Sequence, residues 1–388
     1  MHERHSSNEP LSLQPVLSRV VTAGAAIDLQ DRELLHAGPP LLEPQNPPPV
    51  LVSAAVMTAL HEKWADSPEA AEQLVRDGAI QFRCAQDHQC VTPLATTISR
   101  NTPLFEVTDP ANKYVPRYSV ISPLGGVDTR MGHRDPAILA RLKHRDDTLM
   151  PAWQAWLAAH GPLALSPLAQ TGLIEGDDLH YRTTSASQAL GAALAQYQGG
   201  AWIDAIAQTP TYFLTLWMAA CAMILNATSD QSCPTAVIKV GGNGESFGVS
   251  LAQDPTRWIA VPATPPVGAR MPGKENEAAC PAIGDSAVID IAGFGAQGLA
   301  WAAEAREAFA NAKVLPADYA GVSSQVGIVE LAGFIEGRIG GVDAQKVATC
   351  GKAPLIALAM LDVEGQQGLL GRGLYRTDPT LFERALLS

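Results

Sequence analysis

The sequence predicts an α+β fold that combines mixed α/β regions with an embedded helix bundle. Three observations support this prediction. Residues 136–226 have the pattern of successive helices, residues 79–108 alternate short strand-like runs with turns, and strand-like runs return from about residue 233. A solenoid would need an internal repeat of about 20–50 residues, and none is visible.

Length and composition set the expected organisation. The chain has 388 residues, of which 47% are hydrophobic and 17% charged, so it can bury sizeable cores. At roughly 100–200 residues per domain we expect two or three domains. The boundaries predicted from local pattern are a loose N-terminal segment (1–33), a small mixed α/β region (34–135), a helix bundle (136–226) and a sheet-rich α/β domain (227–388).

The N-terminal half contains several local signals. One strand or helix is expected near residues 16–27, and the proline-crowded stretch 34–50 should be a loop or connector. A helix is predicted from Val50 to Trp64. A second helix should start at Ser67-Pro68, with Ser67 as N-cap and proline at the first helical position. The polar stretch 109–135 is expected to be a long loop.

Further along, Asp135-Pro136 is another cap-and-proline helix start. The apolar run Tyr212–Leu225 is shorter than the roughly 20 residues of a membrane span, so it predicts a buried helix. A hairpin is expected around Gly241–Glu245. After it, residues 286–292 are predicted to form a strand and residues 298–313 a helix.

Charge and cysteine usage exclude several classes of function. There are 27 Lys and Arg against 39 Asp and Glu, a net charge of −12, which argues against binding nucleic acid or an anionic membrane surface. The first residues contain no apolar signal-peptide core. Six cysteines occur without a C-x-x-C pair, and no metal-ligand spacing is present. We therefore expect a cytoplasmic protein with reduced thiols, no metal and no cofactor.

The most specific local motif is G-x-G-x-x-G, formed by Gly293, Gly295 and Gly298 between a strand-like and a helix-like segment. Three interpretations remain open: a dinucleotide site, a turn that binds a phosphate or carboxylate, and a purely structural turn. A dinucleotide site also needs an acidic residue about 20 positions on, and Asp318 has that spacing but follows no convincing strand. The second glycine-rich stretch, residues 241–248, lacks the G-K-[ST] ending of a phosphate loop.

Histidines and carboxylates supply the other candidates. His88 lies between Cys84 and Cys90, so Cys–His catalysis is possible if the segment is helical. His180 lies among acidic residues in EGDDLHYR, where Asp178 and Arg182 could pair at i, i+4 on a helix. That segment is either a solvated helix face or an inward polar cluster that binds a small substrate.

Several segments in order resemble one family, the AllG subunits of oxamate carbamoyltransferase. The resemblance runs from about residue 34 to the C-terminus and includes LLHAGPPL, HQCVTPLA, GDDLHYR, TYFLTLWMAACA, GGNGESFGV, IGDSAVIDIAGFGAQGLAWAA and GGVDAQKV. It implies carbamoyl transfer between oxamate and carbamoyl phosphate in ureide metabolism. It also implies FdrA-like and AllH-like partner subunits.

The chain departs from the family pattern in several places. Only His88 remains of a histidine cluster at residues 86–88, Asp290-Ile291 replaces Glu-Thr, and a His-Lys pair is replaced within residues 359–363. Most of an N-terminal nucleotide-domain-like segment is expected to be absent. These differences indicate a changed acceptor substrate or lost catalysis.

We therefore expect a carbamoyl-transfer enzyme or enzyme subunit with a small anionic substrate. The alternatives are a non-catalytic partner of an FdrA-like protein and an amidohydrolase or cyclase that acts on a ureido compound. The candidate catalytic residues are His88, His180 and Asp178. The candidate substrate-binding residues are Arg182, Asn243, Gly293, Gly295, Asp285 and Asp290.

Overall fold

A computed structural model describes residues 9–230, 233–317, 319, 321–334 and 337–387. Asp318, the acidic candidate for a dinucleotide site, lies outside these residues. The first part of the chain alternates strands and helices: β1 (Val16–Thr22), α1 (Ala23–Ala26), β2 (Glu33–His36), α2 (Pro49–His61), α3 (Pro68–Arg76), β3 (Gln81–Cys84), β4 (Cys90–Val91), β5 (Pro103–Thr108) and β6 (Arg117–Val120).

The middle of the chain is helical, as predicted, apart from one short strand. It consists of α4 (Pro136–His144), α5 (Met150–His160), β7 (Leu163–Ala164), α6 (Ser166–Ile174), α7 (Thr184–Ala195), α8 (Ala201–Ala207) and α9 (Tyr212–Ser229). A π-helical turn, Arg145–Leu149, joins α4 to α5.

The last part returns to strands with short helices between them. Its elements are β8 (Val237–Asn243), β9 (Ser246–Leu251), β10 (Asp254–Pro262), β11 (Val267–Arg270), β12 (Ile283–Gly284), α10 (Ala287–Ile291), α11 (Ala303–Asn311), α12 (Val322–Val326), β13 (Val329–Glu330), β14 (Ile339–Gly340), α13 (Ala344–Cys350), β15 (Leu355–Leu361), β16 (Leu369–Arg376) and α14 (Pro379–Leu386). Helices and several sheets together confirm the predicted α+β class.

The strands form separate sheets instead of one continuous layer. A five-stranded sheet has the order β4-β6-β5-β1-β7, a four-stranded sheet β10-β9-β8-β12, and a three-stranded sheet β11-β16-β15. Two further pairs are β13-β14, which is antiparallel, and β2-β3, which is parallel. β8 and β9 form the predicted hairpin, and Gly244 takes the positive φ of 92° that its two-residue turn requires.

Helix α9 is the centre of the core. Of its 18 residues 83% are buried, and it packs against both β6 of the first sheet and β8 of the second. In the described part of the chain it is the one helix long and apolar enough to span a membrane, but its burial is that of a core helix. The largest hydrophobic cluster draws on all four predicted regions, with Leu17, Val50, Trp153 and Val240 among its members. The predicted domain boundaries therefore stay a prediction.

Local signals predicted the helix starts correctly. Ser67 caps α3 through its hydroxyl, which accepts a hydrogen bond from the Ala70 amide at 3.2 Å. Asp135 caps α4 in the same way, accepting from the Ala137 amide at 2.8 Å.

The strand or helix expected near residues 16–27 is confirmed, because β1 pairs with β5 in the first sheet and α1 follows it directly. Two other predictions of local structure were wrong. The expected loop 109–135 contains β6 and a 3₁₀ turn at residues 129–131. Where a strand was expected over residues 286–292, the structure has the helix α10. A buried apolar run of this length does not distinguish a strand from a helix, so the sequence pattern was ambiguous.

Candidate functional site

A small pocket lies where the middle helices meet the strands of the last sheet. Its volume is about 150 Å³, and its walls come from seven separate segments of the chain. The lining residues are Pro93, Leu94, Arg130, Met131, His180, Tyr181, Thr211, Leu214, Ser286, Ala357, Leu358, Ala359, Leu369 and Arg372. Mostly apolar walls with a few polar groups are typical of a small-molecule site. We call it the His180 pocket.

His180 and Asp290 form a buried pair at this pocket. The two side chains are 6% and 0% exposed, and Nδ1 of His180 donates to Oδ2 of Asp290 at 2.6 Å. The other Asp290 oxygen, Oδ1, accepts the amide N–H groups of Ala296 at 2.7 Å and Ala357 at 3.1 Å. The carboxylate is therefore fixed by three donors and orients the imidazole, which leaves Nε2 for the pocket.

The charge of Asp290 also changes the pKa of His180. Burial alone would lower the pKa of His180, but the negative charge and the hydrogen bond of Asp290 outweigh that effect and raise it above its ordinary value. Asp178 adds to the same effect. A histidine held in this way keeps its proton to a higher pH than an ordinary histidine does.

Asp178 builds the turn that carries His180. Its carboxylate is fully buried and accepts the backbone N–H groups of His180 at 3.2 Å, Tyr181 at 3.2 Å and Arg182 at 2.8 Å. The segment is a loop between α6 and α7, so the expected helical i, i+4 pair of Asp178 and Arg182 does not form. Within this turn Leu179 has a φ of 69°, a strained value for a branched side chain. Asp178 is thus a positioning residue in the structure.

The glycine motif has a structural role here. A Cβ on Gly295 would lie 2.4 Å from Oδ1 of Asp290 and 2.9 Å from Cβ of His180, so only glycine permits the buried pair. A Cβ on Gly293 would lie 2.2 Å from the carbonyl oxygen of Ile339. Both residues have positive φ, 99° for Gly293 and 54° for Gly295.

The backbone N–H groups of this turn already donate hydrogen bonds within the protein. Gly295 donates to the carbonyl of Asp178 at 2.7 Å, and Gly293 donates to the carbonyl of Asp290 at 3.0 Å. A 3₁₀ turn at residues 295–298 follows the helix α10, so the strand–turn–helix context of a dinucleotide site is missing. The N–H groups of Gly293 and Gly295 are therefore bonded within the protein, which favours the structural interpretation of this turn.

Arg182 lies outside the pocket lining. Its Nη1 forms an ion pair with the buried carboxylate of Asp177 and also donates to Ser185 at 3.1 Å. Its Nε contacts the exposed Glu304 at 3.0 Å. Burial raises the pKa of Asp177 to about 6, even with this partner. Two of the three guanidinium nitrogens are thus bonded within the protein, and Arg182 does not line the His180 pocket.

We expect Arg182→Ala to lower the stability of the protein without changing ligand binding in the pocket. Removing the partner of a fully buried carboxylate costs about 3–5 kcal/mol, and the partial exposure of Arg182 reduces this to about 2 kcal/mol. Urea denaturation and a ligand titration measure the two effects. Lost binding with unchanged stability would instead make Arg182 a substrate residue.

Asp285 and Asn243 join segments of the fold and do not face the pocket. Asp285 is fully buried, and its oxygens accept from Gly38 N at 2.8 Å, Gln86 Nε2 at 2.6 Å and Thr92 N at 3.0 Å. Burial raises its pKa to about 7. It precedes Ser286, a residue of the pocket wall, so it holds that wall in place.

Asn243 closes the β8-β9 hairpin. Its side chain is fully buried, donates to the carbonyl of Pro39 at 3.0 Å and accepts from the Ser246 amide at 2.7 Å. It does not line the His180 pocket.

His88 ends a 3₁₀ turn at residues 85–88 and does not line the pocket either. Burial and the nearby charge of Arg83 lower its pKa. Burial raises the pKa of the Cys84 thiol, which is the opposite of what a nucleophilic cysteine needs. Across the described ranges, no group of three or more His, Cys, Asp or Glu side chains could hold a metal ion.

Sequence reasoning missed two pocket residues, Arg130 and Arg372. Nη2 of Arg130 donates to the hydroxyl of Thr211 at 3.2 Å, and its Nε lies 3.5 Å from Asp128. Arg372 is exposed, donates to the carbonyl of Tyr181 at 2.9 Å and lies over that ring at 5.2 Å. Two guanidinium groups and His180 thus line the pocket, with Arg130 paired to Asp128 and His180 to Asp290. Neither arginine belongs to a motif, so the sequence offers no signal for them.

Comparisons with known proteins identify the family of the chain. The family model described as "Oxamate carbamoyltransferase subunit AllG" matches residues 80–286, which is more than half of the chain. The Escherichia coli (strain K12) protein named oxamate carbamoyltransferase subunit AllG is 27% identical, with 92% of this chain and 89% of the relative covered. The uncharacterized protein YahG of the same organism is 26% identical, with 92% and 78% covered.

One solved structure has the same fold. It is a crystal structure of a conserved protein of unknown function from Enterococcus faecalis V583, with a TM-score of 0.87 and 23% sequence identity. The match covers 97% of this chain and 93% of that one. This structure shows the fold alone, whereas the family model covers more than half of the chain and shows that the chain belongs to the AllG family of oxamate carbamoyltransferase subunits.

Proposed function

We propose that this protein is a subunit of a carbamoyl-transferring enzyme and that it binds a small anionic substrate, such as carbamoyl phosphate, in the His180 pocket. The observation that carries the proposal is the convergence of Arg130, Arg372 and the His180–Asp290 pair on one small pocket. Guanidinium groups are well suited to phosphate and carboxylate oxygens because they donate in a fixed fork.

Carbamoyl transfer needs few covalent contributions from the protein. The nitrogen of the acceptor attacks the carbamoyl carbon, the C–O bond to phosphate breaks, and phosphate leaves with that electron pair. The acceptor nitrogen must also lose a proton. In the proposed mechanism Arg130 and Arg372 stabilise the charge on the phosphate, and neutral His180 accepts the proton at Nε2.

The pocket also limits the size of the substrate. A volume of about 150 Å³ suits a metabolite with few heavy atoms, and the apolar walls formed by Leu94, Leu214 and Leu358 would exclude water around it. The E. coli relative is named as one subunit of a transferase, so we propose that this chain works with FdrA-like and AllH-like partners. The acceptor is proposed to differ from oxamate, given the departures at residues 86–88 and 359–363.

Arg372→Met tests the pocket with little risk to the fold, because Arg372 is exposed on β16. Carbamoyl phosphate at 100 times its Kd should stabilise the native chain by about 2.7 kcal/mol. We expect the variant to bind at least about tenfold more weakly, the usual cost of one charge-assisted hydrogen bond. Thermal shift measures the stabilisation by the ligand, and isothermal titration measures the Kd of the native chain and of the variant.

Arg376→Met is the matched control, since Arg376 is also exposed on β16 and does not line the pocket. It should bind as the native chain does. If carbamoyl phosphate, phosphate and oxamate all fail to bind the native chain, the proposal is contradicted and a non-catalytic partner role takes its place.

A further inference from the structure

Arg117 is a buried cation with no acidic partner in the described part of the chain. It is the first residue of β6 and is 8% exposed. Nη1 donates to the carbonyl of Pro116 at 3.2 Å, and the other guanidinium donors have no hydrogen-bond or ion-pair partner among the residues that the structure describes. A buried, uncompensated charge is costly, so proteins normally pair it with an anion.

Arg117 faces a cleft of about 330 Å³. This Arg117 cleft lies between β6, α9 and the strands β8 and β10, and it shares no lining residue with the His180 pocket. Neutral polar side chains also line the cleft, among them Gln89, Asn226 and Thr256. The cleft therefore offers space, neutral hydrogen-bonding groups and one uncompensated positive charge.

The two other charged groups of the cleft neutralise each other. Nζ of Lys239 contacts Oδ1 of Asp87 at 2.5 Å, and the indole N–H of Trp258 donates to the same oxygen at 3.1 Å. Asp87 is thus engaged by two partners at the rim. The net charge that remains for a ligand is that of Arg117, and burial lowers the pKa of Arg117 to about 10, which leaves it protonated at neutral pH.

We propose that the Arg117 cleft is a second anion-binding site, which takes the phosphate or carboxylate group of a small molecule. This site is separate from the His180 pocket, so it binds an additional ligand and does not depend on the proposed reaction. Phosphates and carboxylates both present negatively charged oxygens that a guanidinium group can bind. Titrating each anion separately distinguishes the two.

The test uses the full chain with Arg372→Met, so that the first pocket contributes little. Inorganic phosphate and acetate are titrated separately by calorimetry and thermal shift. We expect at least one of them to bind, and we expect the additional change Arg117→Met to weaken that binding at least tenfold. Without anion, Arg117→Met should leave the melting temperature unchanged or raise it, because it removes a buried unpaired charge.

Two controls keep the proposal falsifiable. Arg257→Met removes an exposed charge beside Thr256 at the rim and should leave the affinity within about twofold. Arg117→Lys keeps a charge without the fork and should bind with intermediate affinity, and it serves if the methionine variant does not fold. No binding of either anion, or an affinity that both Arg117 substitutions leave unchanged, would overturn the proposal.

Discussion

His180→Gln should reduce carbamoyl transfer by the assembled enzyme about 10²–10⁴-fold, the usual contribution of a positioned acid–base group. Glutamine can still donate a hydrogen bond to Asp290, so the buried carboxylate keeps a partner and the fold should be retained. Binding of the anionic substrate should change only a few-fold, because Arg130 and Arg372 remain in the pocket.

The measurement is a rate assay on the chain co-expressed with its partner subunits, together with titration of the isolated chain. His88→Gln is the matched control, since His88 does not line the pocket and should retain full activity. The opposite pattern, an inactive His88 variant and an active His180 variant, would contradict the assignment of the proton carrier.

Asp290→Asn should destabilise the protein by about 1–3 kcal/mol, with a penalty that grows as the pH falls. The amide nitrogen of asparagine cannot accept a hydrogen bond, so either the backbone donors of Ala296 and Ala357 or the imidazole loses an acceptor. If the amide faces His180, the imidazole must accept at Nδ1 and carry its proton at Nε2. That tautomer cannot act as a base toward the pocket, so activity should fall too.

The sign of the pH effect follows from the pKa of His180. In the native protein this pKa is raised, so the pair's contribution to stability is fully present below pH 6.5 and is lost as the pH rises through the folded-state pKa. In Asp290→Asn, burial lowers the pKa of His180 below that of the unfolded chain. Protonation then favours unfolding, and the variant is weakest at acidic pH.

Urea denaturation at pH 5.5 and pH 8.5 measures the difference between native protein and variant. Each unit by which the pKa shifts changes the stability by about 1.4 kcal/mol. The double change His180→Gln and Asp290→Asn should abolish the pH dependence of the penalty. If the loss of stability in Asp290→Asn is the same at both pH values, then Asp290 does not raise the pKa of His180.

Local features of the fold could be predicted from the sequence because they depend on neighbouring residues. The caps at Ser67 and Asp135 and the hairpin at Gly244 are set by side chains within a few positions. The buried helix α9 follows from an unbroken apolar run. The resemblance to the AllG family was confirmed by the family model, since ordered segments along the chain carried it.

The site was only partly predictable because tertiary packing assembles it. His180 and Asp290 were both candidates, yet they are 110 positions apart, and nothing local indicates that they pair. Their glycine neighbour Gly295 was interpreted as an anion-binding turn, but its missing side chain makes room for the pair. Arg130 and Arg372 join the pocket from distant segments.

The partner of Arg182 could not be predicted from the sequence either. It stands in a charged segment and was expected to hold the substrate, but the nearest carboxylate, Asp177, is buried and takes the guanidinium. Sequence spacing alone could not distinguish which of two adjacent aspartates would be paired and which would hold the turn.

A crystal structure of the protein with phosphate or oxamate bound tests the proposed site most directly. We expect an oxyanion held between Arg130 and Arg372 in the His180 pocket, close to Nε2 of His180. A ligand bound only in the Arg117 cleft or elsewhere, with the His180 pocket empty at saturating concentration, would contradict the proposed site.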